Sequence, residues 1–274
     1  MNVIIIAVVS VTALGAISAV ILNVASKLMY VKVDERITLL TEAMPGANCG
    51  ACGYPGCSGY AAALVESNNV KPNLCTPGGA KLLSKISEIM GIETGSIEQK
   101  IAVVHCMGDN NAQQKKMEYK GFPSCTGAKQ LFGGDPACSF GCLGYGDCQK
   151  VCPASAICME NGLAHIITNL CTGCGLCVKA CPNNIITIES ADIPVVVACK
   201  NIEKGAAVRK KCSFGCIACT KCVKECPEGA ITMEENLARI DYAKCKLVKD
   251  KLVFDKQSCG RCVEVCMMKC IRKG

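Results

Sequence analysis

The cysteines of this chain constrain its fold more than any other feature. The sequence has 26 cysteines among 274 residues, with six tyrosines, five phenylalanines and no tryptophan. A large aromatic core is therefore not available, and a chain with so many thiols is expected to be held together by disulfides, zinc or iron-sulfur clusters. The spacing of the cysteines has to distinguish these three possibilities.

An uncharged apolar segment near the N-terminus predicts a membrane helix. Residues 3–26 would form a helix of roughly 36 Å, enough to cross a bilayer core of about 30 Å. No Lys or Arg precedes this segment and it is longer than the apolar part of a signal peptide, so we expect a retained anchor. Lys27, Lys32 and Arg36 follow it, so the positive-inside rule predicts a single-pass protein of the cell (inner) membrane with its cysteines in the cytoplasm. Disulfides are rare in that compartment.

An internal repeat organises the second half of the chain. The stretches CSFGCLGYGDCQKVCPASAI and CSFGCIACTKCVKECPEGAI begin at Cys138 and Cys212, and the shift from one to the other is the repeat offset. Six cysteines have a counterpart at this offset: Cys125, Cys138, Cys142, Cys148, Cys152 and Cys171 correspond to Cys199, Cys212, Cys216, Cys222, Cys226 and Cys245. This agreement predicts two copies of one structural unit.

Each copy resembles a bacterial ferredoxin with two [4Fe-4S] clusters, which is a small α+β unit. In its Cys-x2-Cys-x2-Cys-x3-Cys-Pro run, three cysteines hold one cluster and the fourth binds the other cluster. The first copy has an intact run, which consists of Cys171, Cys174, Cys177, Cys181 and Pro182. Alternating strand patterns follow the Cys-Pro pairs, as a hairpin requires. Zinc sites use paired Cys-x2-Cys hooks instead, so the spacing favours clusters.

The second copy lacks the first cysteine of this run, because Lys256 occupies its position. Cys245 is the repeat counterpart of Cys171, and the insertion 246–258 separates it from Cys259. We interpret Cys245 as the displaced ligand. The rival assignment uses Cys259, Cys262, Cys266 and Cys270, whereas Cys270 is a bystander in ours.

These motifs predict two ligand sets in each ferredoxin-like unit. In the first unit, residues 138–190, the sets are Cys152, Cys171, Cys174 and Cys177, and Cys138, Cys142, Cys148 and Cys181. In the second unit, residues 191–274, they are Cys216, Cys219, Cys222 and Cys266, and Cys226, Cys245, Cys259 and Cys262. The set that contains Cys138 is irregular, because Tyr145 stands where the second unit has Cys219.

A further four-cysteine module is expected in residues 41–100. Its cysteines are Cys49, Cys52, Cys57 and Cys75, and the glycines between them allow the tight loops that surround a cluster. Residues 1–26 form the membrane helix in this scheme, and residues 27–40 and 101–137 are connecting segments. The ligand sets together predict at least five [4Fe-4S] clusters.

Six cysteines remain outside these sets: Cys106, Cys125, Cys158, Cys199, Cys212 and Cys270. One interpretation is a sixth cluster held by Cys106, Cys125, Cys199 and Cys212, with Cys138 exchanging into it. The other is buried free thiols, since cysteine is often buried. The sequence leaves both open.

The sequence contains no nucleotide-binding loop, dinucleotide fingerprint or catalytic triad. His105 and His165 are expected to be packed or surface residues. The formal charge of +7 counts cysteines as neutral. Twenty thiolates and five cores of about +2 would bring the loaded protein to about −3. We expect an electron carrier without an independent catalytic site and without a nucleic-acid partner.

Essentially the whole chain resembles the B subunit of the Rnf complex, a membrane-bound ferredoxin:NAD+ oxidoreductase and translocase that couples electron transfer to Na+ or H+ transport. The resemblance rests on the membrane segment and on NCGACGYPGC, CSFGCLGYGDC, CTGCGLCVKACP, GCIACTKCVKECPEGAI and IDYAKC. It implies a protein that accepts electrons from reduced ferredoxin and relays them to other subunits of that complex. The insertion after Cys245 and Met267 in place of proline depart from the pattern.

Two alternatives remain open at this point. A membrane-anchored polyferredoxin that serves an unrelated dehydrogenase would have the same motifs. The N-terminal cysteine pattern also resembles modules of corrinoid iron-sulfur proteins, although such a partner would not need two tandem ferredoxin units. Co-purification of an intact membrane complex would distinguish these functions.

Overall fold

The computed structural model describes residues 2–28, 34–67, 69–92, 95, 99–245 and 260–273. Its helices are α1 (Asn2–Leu28), α2 (Glu35–Ala43), α3 (Gly56–Glu66), α4 (Gly79–Met90), α5 (Cys125–Gln130), α6 (Asp147–Lys150), α7 (Leu176–Ala180), α8 (Gly205–Lys211), α9 (Lys221–Lys224) and α10 (Arg261–Glu264). Its strands are β1 (Lys100–Val104), β2 (Ile157–Glu160), β3 (Leu163–Ile166), β4 (Ile186–Ser190), β5 (Val195–Val197), β6 (Ile231–Glu234), β7 (Leu237–Ile240) and β8 (Ile271–Lys273). The fold is therefore a mixture of short helices and strands behind one long helix.

The long helix α1 occupies the apolar segment. Its stretch Ile5–Lys27 has a mean hydropathy of 2.6, and within the described residues it is the one helix with the length and composition of a membrane span. Its apolar side chains do not pack against the protein, since Val11 and Leu22 are 69% and 70% exposed. A bilayer would cover such a surface.

Helices α2, α3 and α4 form a small N-terminal module. Leu40, Tyr60 and Ile86, one from each helix, are fully or almost fully buried in its core. The Tyr60 hydroxyl donates a hydrogen bond to the Lys71 carbonyl at 2.7 Å and accepts one from the Leu74 amide at 3.4 Å. The loop before Cys75 is thereby fixed against α3.

The remaining chain forms two similar units, unit 1 (residues 99–190) and unit 2 (residues 191–273). In unit 1, β1 pairs with β4 and β2 with β3; in unit 2, β5 pairs with β8 and β6 with β7, all antiparallel. Helix α6 and strands β2 and β3 correspond to α9, β6 and β7, and beyond the insertion α7 and β4 correspond to α10 and β8. The repeat in the cysteines is therefore a repeat of the backbone.

Strand β1 changes the boundary of the first unit. The motif spacing predicts that residues 101–137 are a connection and that the unit begins at residue 138, but Val104 of β1 lies opposite Ile186 of β4. The cysteine spacing marks where ligands occur, and it carries no information on a strand that pairs with the far end of the unit. Unit 1 therefore begins near residue 100.

The two units are joined by polar contacts to equivalent carbonyl groups. His105 Nδ1 lies 2.8 Å from the carbonyl oxygen of Val197, and Arg272 Nη2 donates to the carbonyl oxygen of Val104 at 3.4 Å. Val104 and Val197 both stand two residues before a buried cysteine, Cys106 or Cys199. A side chain of each unit therefore contacts the equivalent carbonyl group of the other unit. His105 is a packed residue, as expected.

Both hairpins turn through residues with positive φ angles. Asn161 and Gly162 have φ angles of 46° and 77°, and their counterparts Glu235 and Asn236 have 46° and 65°. Asn-Gly suits this type of turn, whereas a glutamate at its first position is strained. Asn236 is additionally tied down, because its Nδ2 donates to Ile202 O at 3.0 Å.

We expect Glu235→Asn to stabilise unit 2, because asparagine tolerates the left-handed conformation better than glutamate. The expected gain is about 0.5 kcal/mol, or about 1–2 °C in the midpoint of thermal loss of visible cluster absorbance. The matched control is Glu234→Asn, which lies in strand β6 and should give no gain. Equal midpoints for the two variants would contradict the prediction.

Candidate iron-sulfur centres

The four cysteines of the N-terminal module lie together, and we call them site 1: Cys49, Cys52, Cys57 and Cys75. Burial raises the pKa of the Cys75 thiol, and the neighbouring thiols of site 1 raise it further. Gly56 has a φ of 84°, and a Cβ there would lie 2.7 Å from Asn48 Oδ1, the atom that accepts a hydrogen bond from the Cys57 amide. Glycine is therefore required at this turn of the loop.

Site 2 consists of Cys152, Cys171, Cys174 and Cys177, which line one cavity. The Ala102 amide donates to Cys171 Sγ and the Ala156 amide to Cys152 Sγ, both at 3.3 Å. Burial and the three neighbouring thiols raise the pKa of Cys177 to about 11. The structure thus brings together the four residues that the intact motif grouped, and it gives two of them N–H···S bonds of the kind that surround cluster ligands.

Site 3 differs from the set predicted by the motifs in one residue. Its cavity is lined by Cys125, Cys142, Cys148 and Cys181. Cys125 therefore stands where the motif spacing places Cys138. Burial and the adjacent thiols of Cys142, Cys125 and Cys181 raise the pKa of Cys148 to about 12.

Contacts between α5 and α6 explain this exchange. Asp147, at the start of α6, accepts hydrogen bonds from the Ser124 hydroxyl at 2.8 Å and the Thr126 amide at 3.0 Å. These two residues flank Cys125, so its thiol is carried to the site from a different segment. Tyr145, in the place of Cys219, is the sequence signal that a ligand has to come from elsewhere.

Site 4 lies between the two units. Its cavity is lined by Cys106, Cys138, Cys199 and Cys212, two from each unit. Cys138 thus takes the place that Cys125 has in the sixth cluster considered from the sequence. The Cys142 amide donates to Cys106 Sγ at 3.4 Å, and its repeat counterpart, the Cys216 amide, donates to Cys199 Sγ at 3.3 Å. The site is therefore approximately two-fold symmetric.

This symmetry corrects the repeat arithmetic at one position. Cys106 follows β1 by two residues, and Cys199 follows β5 by two residues. Cys199 is thus the structural counterpart of Cys106, although the repeat offset pairs it with Cys125. Burial raises the pKa of Cys106 to about 12 and that of Cys199 to about 11.

Site 5 contains Cys216, Cys219, Cys222 and Cys266, the four residues grouped from the sequence, and also Cys270. The Sγ atoms of Cys266 and Cys270 are 3.5 Å apart, and Cys270 is 2% exposed. The hydrogen bond from Cys270 lowers the pKa of Cys266 to about 5. The residue expected to be a bystander therefore lies in the wall of this site, where unit 1 has the buried Ile185.

Site 6 is described in part. Cys226 and Cys262 pack in the core of unit 2, whereas Cys259 and the insertion 246–258 lie outside the described residues. The Cys245 amide donates to the Asp241 carbonyl at 3.1 Å, as the Cys171 amide donates to the Ile167 carbonyl at 3.1 Å. Cys245 is therefore held in the same turn as its counterpart in site 2.

The described sites form a series in which neighbouring sites are linked by a hydrogen bond or by a shared core. Lys179 Nζ donates to Cys49 O at 3.0 Å between sites 2 and 1, and Cys177 and Cys148 of sites 2 and 3 lie in one buried core. The Cys142 amide donates to Cys106 Sγ between sites 3 and 4, and the Cys216 amide donates to Cys199 Sγ between sites 4 and 5. Cys158 lies apart on β2, where its thiol contacts Glu160.

The donor atoms at each of these sites are cysteine thiols, which are the ligands of iron-sulfur clusters. Within the described residues, no three His, Cys, Asp or Glu side chains are close enough to hold a single metal ion. The thiols instead surround cavities, and several accept backbone N–H groups. All-thiol sets with such hydrogen bonds are the ligands of [4Fe-4S] clusters.

Two family models match this chain. The model described as "Putative Fe-S cluster" matches residues 44–77, which contain site 1. The model described as "4Fe-4S binding domain" matches residues 164–187, which contain the intact cysteine run of unit 1.

Three similar proteins carry related names, and each is the B subunit of its complex. The one from the Na+-translocating ferredoxin:NAD+ oxidoreductase complex of Acetobacterium woodii is 41% identical over 94% of this chain and 74% of its own length. The one from the proton-translocating complex of Clostridium ljungdahlii is 41% identical over 98% of this chain and 91% of its own length. The one from the ion-translocating oxidoreductase complex of Methanosarcina acetivorans is 36% identical over 94% of both chains. The chain therefore belongs to the family of B subunits of the Rnf complex, the ion-translocating ferredoxin:NAD+ oxidoreductase.

Proposed function

We propose that this protein accepts electrons from reduced ferredoxin and relays them through a series of [4Fe-4S] clusters to other subunits of a membrane-bound ferredoxin:NAD+ oxidoreductase that translocates Na+ or H+. The observation that carries the proposal is the series of thiol-lined sites, in which each described site is linked to the next by a hydrogen bond or a shared core. A single-cluster module would need one such site, and a structural zinc protein would need none in series. The clusters supply one-electron chemistry when bound.

The protein's own contribution is to bind the clusters and exclude water. Buried thiols such as Cys106 and Cys199 need N–H donors to hold the thiolate form, and the amides of Cys142 and Cys216 provide them. Hydrogen bonds to the sulfurs and solvent exposure set the potential of a cluster. The sites differ in both respects, so they are expected to differ in potential.

The proposed arrangement has six clusters, which are the five predicted from the motifs and the sixth that the sequence leaves open. Sites 2 and 3 belong to unit 1 and sites 5 and 6 to unit 2, while site 4 is shared and site 1 belongs to the N-terminal module. The proposed ligands of site 3 include Cys125, those of site 4 are Cys106, Cys138, Cys199 and Cys212, and those of site 6 are Cys226, Cys245, Cys259 and Cys262. Cys270 remains a non-ligating thiol in this assignment.

Two related functions are less well supported. A polyferredoxin for an unrelated dehydrogenase would explain the clusters, but similarity to the B subunits extends over 98% of the chain, including the apolar helix. A corrinoid-protein partner would account for site 1 alone. The relatives from Acetobacterium woodii and Clostridium ljungdahlii are equally similar and are named for different ions, so resemblance does not identify the ion.

Membrane vesicles test the function and the orientation together. In sealed inverted vesicles that contain the whole complex, reduced ferredoxin should drive NAD+ reduction, because the cysteine-rich part is proposed to lie on the cytoplasmic side. Sealed right-side-out vesicles should show this activity after detergent only. Activity in intact right-side-out vesicles would contradict the orientation, and no ferredoxin-dependent activity in either preparation would contradict the function.

A rescue experiment tests the ligand of site 3. Cys125→Ser should remove the iron of about one cluster, because a corner iron loses its thiolate. Adding Tyr145→Cys should restore it, since residue 145 has the repeat position of Cys219. The matched control is Cys138→Ser with Tyr145→Cys, which should stay depleted because Cys138 serves site 4. If Tyr145→Cys restored the iron of the Cys138 variant instead, the ligand set predicted from the sequence, with Cys138 in site 3, would be correct.

The displaced ligand of site 6 can be tested in the same way. Cys245→Ser should lower the iron and sulfide content by about one cluster, whereas Cys270→Ser should leave both unchanged and alter only packing at site 5. EPR spectra of the reduced variants would show which signal is lost, with Cys158→Ser as a control at a cysteine that belongs to none of the six sites. Full iron in the Cys245 variant with depletion in the Cys270 variant would reverse the assignment.

A further inference from the structure

Cys219 stands apart from the other cysteines that the structure describes, because its residue is exposed while they are buried or half-buried. Its counterpart in unit 1 is Tyr145, which is half-buried. The Tyr145 hydroxyl donates to Asp135 Oδ1 at 3.0 Å, and its ring meets that of Tyr119 edge-on at 5.4 Å. The same corner of the fold is therefore closed in unit 1 and open in unit 2.

The difference comes from the length of one segment. Residues 107–137 lie between Cys106 and Cys138, whereas only residues 200–211 lie between Cys199 and Cys212. The long segment of unit 1 supplies Tyr119, Asp135 and α5, which cover site 3. The short segment of unit 2 consists largely of α8, and Cys219 of site 5 stays exposed.

Exposed basic side chains lie on the segments that supply the cysteines of site 5. Lys221 and Lys224 on α9 are exposed, and so is Lys269, which follows Cys266. Lys221 Nζ lies 3.3 Å from the Sδ of Met267, which is itself 50% exposed. None of the three lysines is ion-paired with another described residue.

Unit 1 repeats only part of this charge. Lys150 corresponds to Lys224, and it is paired with Asp147, which takes the place of Lys221. Pro182 takes the place of Met267 and Asn184 that of Lys269. The carboxylates nearest to this face are Glu225, which follows Lys224, and Glu264 of α10, which stands two residues before Cys266. Unit 2 therefore has two lysines, Lys221 and Lys269, that unit 1 lacks at the equivalent positions, and an exposed methionine lies beside Lys221.

We infer that Cys219, Lys221, Lys224, Met267 and Lys269 form the docking face for an acidic ferredoxin, and that electrons enter the series at site 5. The inference rests on the proposed function and adds the place of entry. Lysine ammonium groups attract and orient an acidic partner, and methionine adapts to a protein surface. The transfer moves one electron: the ferredoxin cluster is oxidised, the cluster of site 5 is reduced, and no bond or proton changes.

Charge reversal in the purified membrane complex tests this face. With Lys221→Glu and Lys224→Glu together, the KM for an acidic two-cluster ferredoxin should rise roughly tenfold at low salt, and its dissociation constant in a direct binding measurement should rise similarly. The difference should shrink at high salt, because screening removes steering from the wild type. Only preparations with full iron content and wild-type EPR spectra after dithionite reduction are compared.

Two matched variants serve as controls. Lys221→Arg with Lys224→Arg keeps the charge and should bind ferredoxin as the wild type does. Lys81→Glu with Lys85→Glu makes the same charge change on exposed positions of α4 and should leave the KM and the dissociation constant unchanged. Equal losses in the two charge-reversed variants, or loss in the α4 variant alone, would overturn the inference.

The outcomes also separate this inference from the proposed function. If dithionite reduces the wild-type complex and ferredoxin does not, the proposed function fails. If ferredoxin reduces the wild type and the Lys221→Glu, Lys224→Glu variant equally well at low salt, the function stands and the docking face is wrong.

Discussion

The cysteine-rich part has thiols that are buried next to one another in its cores. Burial raises the pKa of Cys106 and Cys148 to about 12, so without iron these thiols stay protonated in the folded chain near neutral pH. Iron binds the thiolate, so each ligand must release a proton when a cluster is bound. Cluster binding therefore offsets a desolvation cost that the fold itself creates, and it becomes part of the folding free energy.

The rest of the architecture reflects this dependence. The sheets of both units have two strands each, and isolated two-stranded sheets are marginal in water. The apolar residues that pack with them, such as Ile157 in unit 1 and Ile231 in unit 2, share their cores with cysteines. Clusters thus take the place of the large aromatic core that the composition does not provide.

Motif spacing predicts those sites whose ligands lie close together in one segment. The groupings of sites 1, 2 and 5 are available from sequence, because each contains three cysteines within a short loop and one anchored nearby in the fold. The exchange of Cys125 and Cys138 cannot be predicted from the sequence. Both cysteines belong to the first copy, and their spacing does not indicate which cavity each one lines. The hydrogen bonds of Asp147 to the start of α5 decide it, and no local pattern encodes them.

The cysteine repeat does not reveal that strands β1 and β5 correspond, for a related reason. The repeat offset holds from Cys138 onward, but the segments before it differ in length, so the counterpart of Cys199 is found from its strand and not from arithmetic. Once β1 and β5 are matched, the shared site 4 follows, because each unit contributes one cysteine after its first strand and one before its first hairpin. The exposed corner at Cys219 has the same origin, since the shorter segment cannot cover it.

The insertion in the second copy shows how much variation the cluster sites tolerate. Lengthening the loop after Cys245 from two residues to thirteen costs only about 1.5–2 kcal/mol in chain entropy. The turn that holds Cys245 keeps its Asp241 hydrogen bond, so the lengthening is confined to the residues beyond the thiol. Cys245 therefore keeps the position of Cys171 in the fold in spite of the insertion, and what the two units share at this point is the turn that presents the sulfur.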